Sequence, residues 1–436
     1  MQRQIVHYFN TLLIYFLVCQ TMFCITQSSK LKGTISVSGS KNAALPIVSA
    51  NYITGNKVKL TNEPDIADVR MLHTIAQESI ASSTNTSYYD LTTEKCAKMR
   101  ASILMIPYGL IHHKSVKFYG TSGWCKLGKR PLDTFDDALI QCGIQITESQ
   151  WKEYRVVGKP NQHIVLQEFS VTATEAIITY LAFLSGIHYS ITINQIAIEP
   201  HVIDLIKFLK MLGARIELNY DNSLTLTPGI DLDQDFSLYT HHIIGDYLEA
   251  GLYLSIGACV PWSDITIQWV DIKDLLAVFN VCRSIGINYK ILSSDSFQVT
   301  SQNLSHYQAT KIQTHIYPWF PTDLQSTFGT ILTQCRGISK IFETLFEARF
   351  AYLGELEKLG AKVEILNPHQ AIVVWPIALK GSYVSSTDIR WWSAVILAGI
   401  LASWKTYIAN EEIILRWYDH IVEKLQSIGV DIIVKD

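Results

Sequence analysis

The sequence predicts an α/β protein built from about six α+β units of roughly 70 residues, set as two halves of three with a cleft between them. Three observations carry this. A helical pattern that ends in an apolar residue and glycine, then runs into a short strand, recurs at CGIQI, LGARIEL, IGINYKI, LGAKVEI and IGVDIIV. The glycines, Gly143, Gly213, Gly286, Gly360 and Gly429, lie 70, 73, 74 and 69 residues apart, the mark of an internal repeat. Glycine there is the helix C-cap residue that accepts a left-handed backbone before the chain reverses into a strand. No low-complexity segment separates the halves.

Taken in order, residues 4–29 contain no Lys, Arg, Asp or Glu, and TLLIYFLVC within them is strongly apolar. With Arg3 ahead, residues 1–21 read as a hydrophobic extension that imitates a signal peptide or a membrane anchor. ISVSG and KVKLTN read as strands, and DIADVRMLHTI as a helix opened by Asn62 or Asp65. A degenerate first copy of the repeat is placed near LHTIAQESI. EKCAKMRASILMIPYGL is helical, SVKFYG is a strand, and PLDTFDDALIQ is a helix with Pro131 at its first position.

The 436 residues allow two domains with ample core. A hydrophobic share of 48% against 17% charged excludes a disordered chain, and a net charge of −3 gives no bulk basic field for nucleic acid or an acidic membrane. Eight scattered cysteines without a C-x-x-C pair argue against a zinc site or a disulfide framework and for a reducing compartment, the cytoplasm.

Four constellations carry chemistry. In GSKNAALP, Lys41 and Asn42 sit where a helix begins, and free N–H groups beside an ammonium suit an anion; a solvated lysine on a cap reads equally well. In TSGWCKLGKRPLD, Cys125 has Lys126, Lys129 and Arg130 nearby and precedes a helix start, all of which favour thiolate; a passive loop cysteine is the alternative. Cys259 and Cys282, in apolar runs, read as inert core. YPWFPTDLQ holds Asp323 on a proline-stiffened loop, either as a general base or as the N-cap of the next helix. Arg100, Arg349, Arg390 and Arg416 stand near loop or helix starts. Each reads singly as a surface ion pair; with Lys41 and Arg130 they suggest a doubly anionic substrate, which guanidinium groups match bidentately. No P-loop, GxGxxG, HExxH or Ser-His-Asp signature is present.

These residues, in this order, resemble the enolpyruvyl transferases from about Met22 to the C-terminus. LKGTISVSGSKNAALPI is similar to the family's opening strand and Lys-Asn helix start. Gly-x-Cys-x-x-Gly-x-Arg-Pro-x-Asp resembles the reactive-cysteine loop that the shikimate-pathway branch lacks. FPTDLQ, FEARF and TDIR match later family motifs. The resemblance implies an inside-out α/β barrel of two domains, one over 41–243 and one over 22–40 plus 244–436. It implies transfer of enolpyruvyl from phosphoenolpyruvate to the 3′-hydroxyl of UDP-N-acetylglucosamine with phosphate release, the first committed step of peptidoglycan synthesis, without a metal or organic cofactor. Carried over by position, Cys125 is the proton donor and the target of fosfomycin-type epoxides. Lys41, Arg130 and Arg390 hold phosphoenolpyruvate, and Asp323 is the base. Asn42, Arg100, Arg130, Pro131, Leu132, Asp133, Thr134 and Leu345 line the nucleotide-sugar site, with Arg349 nearby. Rival readings are a different acceptor, a catalytically silent nucleotide-sugar binder, and a membrane-anchored form. Glu168-Phe169 before Ser170-Val171, and Tyr247 after Asp246, depart from the family pattern, and Met22 fits the family's usual start.

The tryptophans form the largest departure. Trp124, Trp319, Trp392, Trp404 and Trp417 stand where the family carries glycine; Trp151, Trp262, Trp269 and Trp375 occupy turn-like positions, and Trp391 matches an alanine. Glycine is only 23 of 436 residues, about 5% against the usual ~7%. The pattern suggests a source that reads one stop codon as glycine, written here as tryptophan; true divergence is the alternative.

Overall fold

The computed structural model describes residues 22–119, 132–347, 349–375, 378–385, 391–410, 414 and 416–435. The five repeat glycines all adopt the left-handed backbone, with φ from 82° to 118°. Each closes a helix and sends the chain into the third strand of a four-stranded sheet.

Five such sheets share one pattern. The second strand follows a buried helix, runs parallel to the first and pairs antiparallel with the fourth, which pairs antiparallel with the third. One such sheet joins Tyr89–Leu91, Ser115–Phe118, Ile144–Glu148 and Lys152–Val156. The same order joins His163–Val165, Ile191–Asn194, Arg215–Leu218 and Ser223–Thr227. It recurs for Lys32–Ser36 with Ser263–Gln268, Asn288–Ile291 and Ser296–Ser301, and for Lys311–Gln313 with Ile338–Phe342, Lys362–Asn367 and Gln370–Val374. In the fifth sheet, Tyr383–Ser385, Lys405–Ala409 and Ile432–Lys435 take Met22–Thr26 as the fourth strand. The sixth unit is reduced to one parallel pair, Thr240–His242 with Lys59–Thr61.

Contacts divide the chain into two compact units. One takes its described residues from Met1–Val37, Tyr247–His315 and Trp319–Asp436; the other from Ser38–Asp246 and Ile316–Pro318. Each has its own apolar core. The helices that precede the second strands are buried almost all round, as in Lys41–Ile53 and Tyr247–Cys259, which explains why their sequences are apolar on every face. Cys259 and Cys282 are buried in the first unit, and burial pushes both thiols well up, so neither is poised to react.

Several local expectations are corrected. The helix Ala67–Ser83 opens at Ile66 without a side-chain cap, so neither Asn62 nor Asp65 caps it. It also runs unbroken through residues 72–80, leaving no degenerate glycine turn there. The stretch from Glu94 is three pieces: a helix Glu94–Lys98 capped by Thr93, an extended Met99, then a 3-10 turn Arg100–Met105 leading into Ile106–His112. Helix Asp133–Gln141 begins after Leu132; Pro131 lies outside the described residues. Among the described residues, no helix is long and apolar enough to cross a membrane. Residues 1–21 lie outside them.

Candidate active site

The unit built on Ser38–Asp246 presents Lys41 at the first position of helix Lys41–Ile53, after Ser40. Gly39 is required by close approach, since a Cβ there would lie 1.8 Å from the Asn62 carbonyl oxygen. The segment is pinned by Ser40 N–H to Ile244 O (2.7 Å) and Asp246 N–H to Ser38 O (2.9 Å). Lys41 is not solvated: its side chain is 7% exposed and its Nζ lies 2.5 Å from Oδ2 of Asp68, itself 10% exposed. An ammonium at a helix N-terminus adds like-signed fields, and a carboxylate in the first turn of a second helix offsets them. The ammonium is thus held at the helix N-terminus by a buried ion pair.

Asn42 lies beside Lys41, half-buried, and Arg100 opens its 3-10 turn half-buried. Thr134, in the first turn of Asp133–Gln141, donates its hydroxyl to Glu168 Oε1 at 3.2 Å. Ser170, two residues on from Glu168, caps helix Val171–Ala182 by accepting from Ala173 N–H. The structure thus brings Thr134 and the divergent Glu168 together. Asp133 is exposed and Leu132 half-buried.

The unit that includes Trp319–Asp436 holds Asp323 in a 3-10 turn, Thr322–Leu324, ahead of helix Gln325–Leu332. Asp323 is not the cap: Pro321 and Leu324 occupy the two cap positions. Instead Arg349 Nη1 donates to Asp323 Oδ1 at 2.9 Å and to Thr322 O at 3.2 Å. The guanidinium is 2% exposed and stacks 4.5 Å from the Phe346 ring centroid. Glu343, fully buried, accepts from Thr322 Oγ1 (2.7 Å) and from Leu345 N–H (3.0 Å). One carboxylate therefore ties the Asp323 turn to the backbone of Leu345. Arg416 is half-buried. Cys125, Arg130, Pro131 and Arg390 lie outside the described residues.

Three residues here escaped sequence reasoning. Asp68 and Glu343 sit in helical or strand-end patterns where a carboxylate reads as ordinary surface. Glu175 is fully buried with Oε1 unpartnered. Burial first, and the neighbouring Glu199 second, push its carboxyl well above the usual range. Below the ordinary glutamate pKa both folded and unfolded chains hold the proton. Above it only the folded chain does, so stability falls as pH climbs toward the folded value. Glu175→Gln is expected to remove that slope. Melting temperatures from about pH 5 to 9 should diverge in the variant's favour as pH rises; parallel curves would sink the assignment.

With this geometry in hand, the kinship is clear. The family model for EPSP synthase (3-phosphoshikimate 1-carboxyvinyltransferase) matches residues 25–425, and the chain belongs to that family. It is 32% identical to the UDP-N-acetylglucosamine 1-carboxyvinyltransferase of Wolbachia sp. subsp. Brugia malayi, over 92% of this chain and 96% of the relative. To the enzyme of the same name from Sulfurimonas denitrificans it is 34% identical, over 94% and 98%. Among solved structures, the Streptomyces tendae enolpyruvyl transferase NikO aligns with a TM-score of 0.81 at 18% identity, covering 95% of this chain and 99% of that one. EPSP synthase from Acinetobacter baumannii aligns at 0.68 and 13%, covering 95% and 100%. At those identities the structures establish the fold: the two-unit architecture of the enolpyruvyl transferases.

Proposed function

We propose that this chain transfers enolpyruvyl from phosphoenolpyruvate to the 3′-hydroxyl of UDP-N-acetylglucosamine, releasing phosphate, as a cytoplasmic enzyme of peptidoglycan synthesis. The observation that carries the reading is identity above 30%, over more than nine-tenths of the chain, to relatives bearing that activity in their names. Their acceptor, rather than shikimate phosphate, also accords with the Gly-x-Cys loop in the sequence.

The chemistry assigns roles. A proton must reach the methylene carbon of phosphoenolpyruvate while the sugar oxygen attacks the adjacent carbon; Cys125 supplies that proton in this reading. Asp323 takes the hydroxyl proton. The resulting tetrahedral adduct then loses phosphate and a proton from the same methyl group, leaving the enol ether. Lys41, Arg130 and Arg390 balance phosphate and carboxylate charge as it builds. Asn42, Arg100, Leu132, Asp133, Thr134 and Leu345 seat the nucleotide sugar. That chemistry calls for no metal or organic cofactor.

The test is phosphate release from phosphoenolpyruvate with and without UDP-N-acetylglucosamine. Sugar-dependent release supports the reading. Folded protein that binds the sugar nucleotide but releases nothing would make it a silent binder, and release with another acceptor only would move the substrate. A second expectation concerns Cys125. An epoxide phosphonate of the fosfomycin type should add one label per chain, and Cys125→Ser should abolish it. Labelling that persists in the variant would refute the cysteine's role.

A further inference from the structure

The repeat places a left-handed residue at one or both ends of its second strand. Immediately before that strand stand Lys114, Trp262, Gly337 and Trp404, with φ of 61°, 64°, 109° and 69°. Immediately after it stand Asn62, Gln195, Trp269 and Asn410, with φ of 57°, 60°, 70° and 67°. These corners belong to the architecture, because they recur in units whose sequences differ. Glycine takes such a backbone without cost and asparagine tolerates it; for a bulky side chain it is an outlier.

The three tryptophans gain nothing that offsets the strain. Their side chains are 62%, 58% and 71% exposed at 262, 269 and 404. Two other indoles fail in the opposite way: the Nε1 atoms of Trp391 and Trp392 are buried without a hydrogen-bond acceptor, an arrangement proteins avoid. Trp319 is 65% exposed four residues before Asp323.

We infer that the protein made in its source carries glycine at 262, 269 and 404, the codon written here as tryptophan being decoded as glycine. Decoding follows the codon and not the site, so every position written with that codon changes together. Were all ten tryptophans written with it, glycine would number 33 of 436 residues, about 7.6%, close to the ordinary ~7%.

Two measurements decide it. Fragment masses of the protein isolated from its source should show glycine at 262, 269 and 404; tryptophan at any of them overturns the inference. In the chain expressed as written, the triple change W262G/W269G/W404G should raise the melting temperature by about 5–10 °C. Asparagine at the three sites should retain part of that gain and alanine should not, a distinction that loss of surface indole alone would not produce. Equal or lower melting temperatures for the glycine variant also overturn it.

Discussion

Replacing Asp323 by Asn is expected to lower sugar-dependent phosphate release by about 10²–10⁴-fold, the usual worth of a positioned general base. The loss should fall on kcat, with KM for the nucleotide sugar changed little, because the amide keeps size and polarity but cannot take a proton. The fold should survive: an amide oxygen still accepts from Arg349 Nη1, which lies 2.9 Å from Oδ1 in the parent. The readout is steady-state kinetics beside a melting curve. A kcat within tenfold of the parent, in a protein melting normally, would remove Asp323 from the chemistry.

Arg349→Ala is expected to act on both stability and turnover. The guanidinium is almost wholly buried, touching Asp323, Thr322 O and the Phe346 ring. Truncating one partner of a buried ion pair costs about 3–5 kcal/mol. The lower end applies here, since the Asp323 side chain keeps 19% of its surface exposed and water screens it. The melting temperature should drop by roughly 10 °C, and turnover should fall because the carboxylate loses the donor that aims it. Arg349→Lys retains charge but not the planar fork, so it should lie between parent and alanine variant in both readings. A lysine variant indistinguishable from the alanine variant in turnover, yet stable, would assign Arg349 to substrate contact instead of positioning.

Much of the architecture was legible because the repeat is written in glycine. A left-handed turn after a helix leaves few alternatives, so Gly143, Gly213, Gly286, Gly360 and Gly429 marked five helix-to-strand turns from spacing alone. Caps were less legible. Asn62 looked like an N-cap but occupies the left-handed corner after a strand, with φ 57°, and the helix opens at Ile66 with no side-chain partner. The site was legible as residue types and not as pairs. Lys41 and Asp68 are brought together by packing of two helices, and Arg349 reaches Asp323 from beyond an intervening helix and strand. No periodicity encodes such distances. Asp323 shows the limit best: composition left it between base and cap, and only the structure removes the cap, with Pro321 and Leu324 in those positions.

The sheet that holds Met22–Thr26 also sets an order on assembly. That strand lies between Lys405–Ala409 and Ile432–Lys435 and pairs antiparallel with both. Ribosomes add about 5–20 residues per second, so the strand waits on the order of tens of seconds for partners roughly 380 residues or more further along the chain. Meanwhile MFCIT, three of whose five side chains end fully buried, is an unpaired apolar edge. The unit on Ser38–Asp246 is almost entirely made in that interval and can collapse first. Met22–Thr26, made before every other described strand, is therefore among the last to find its place.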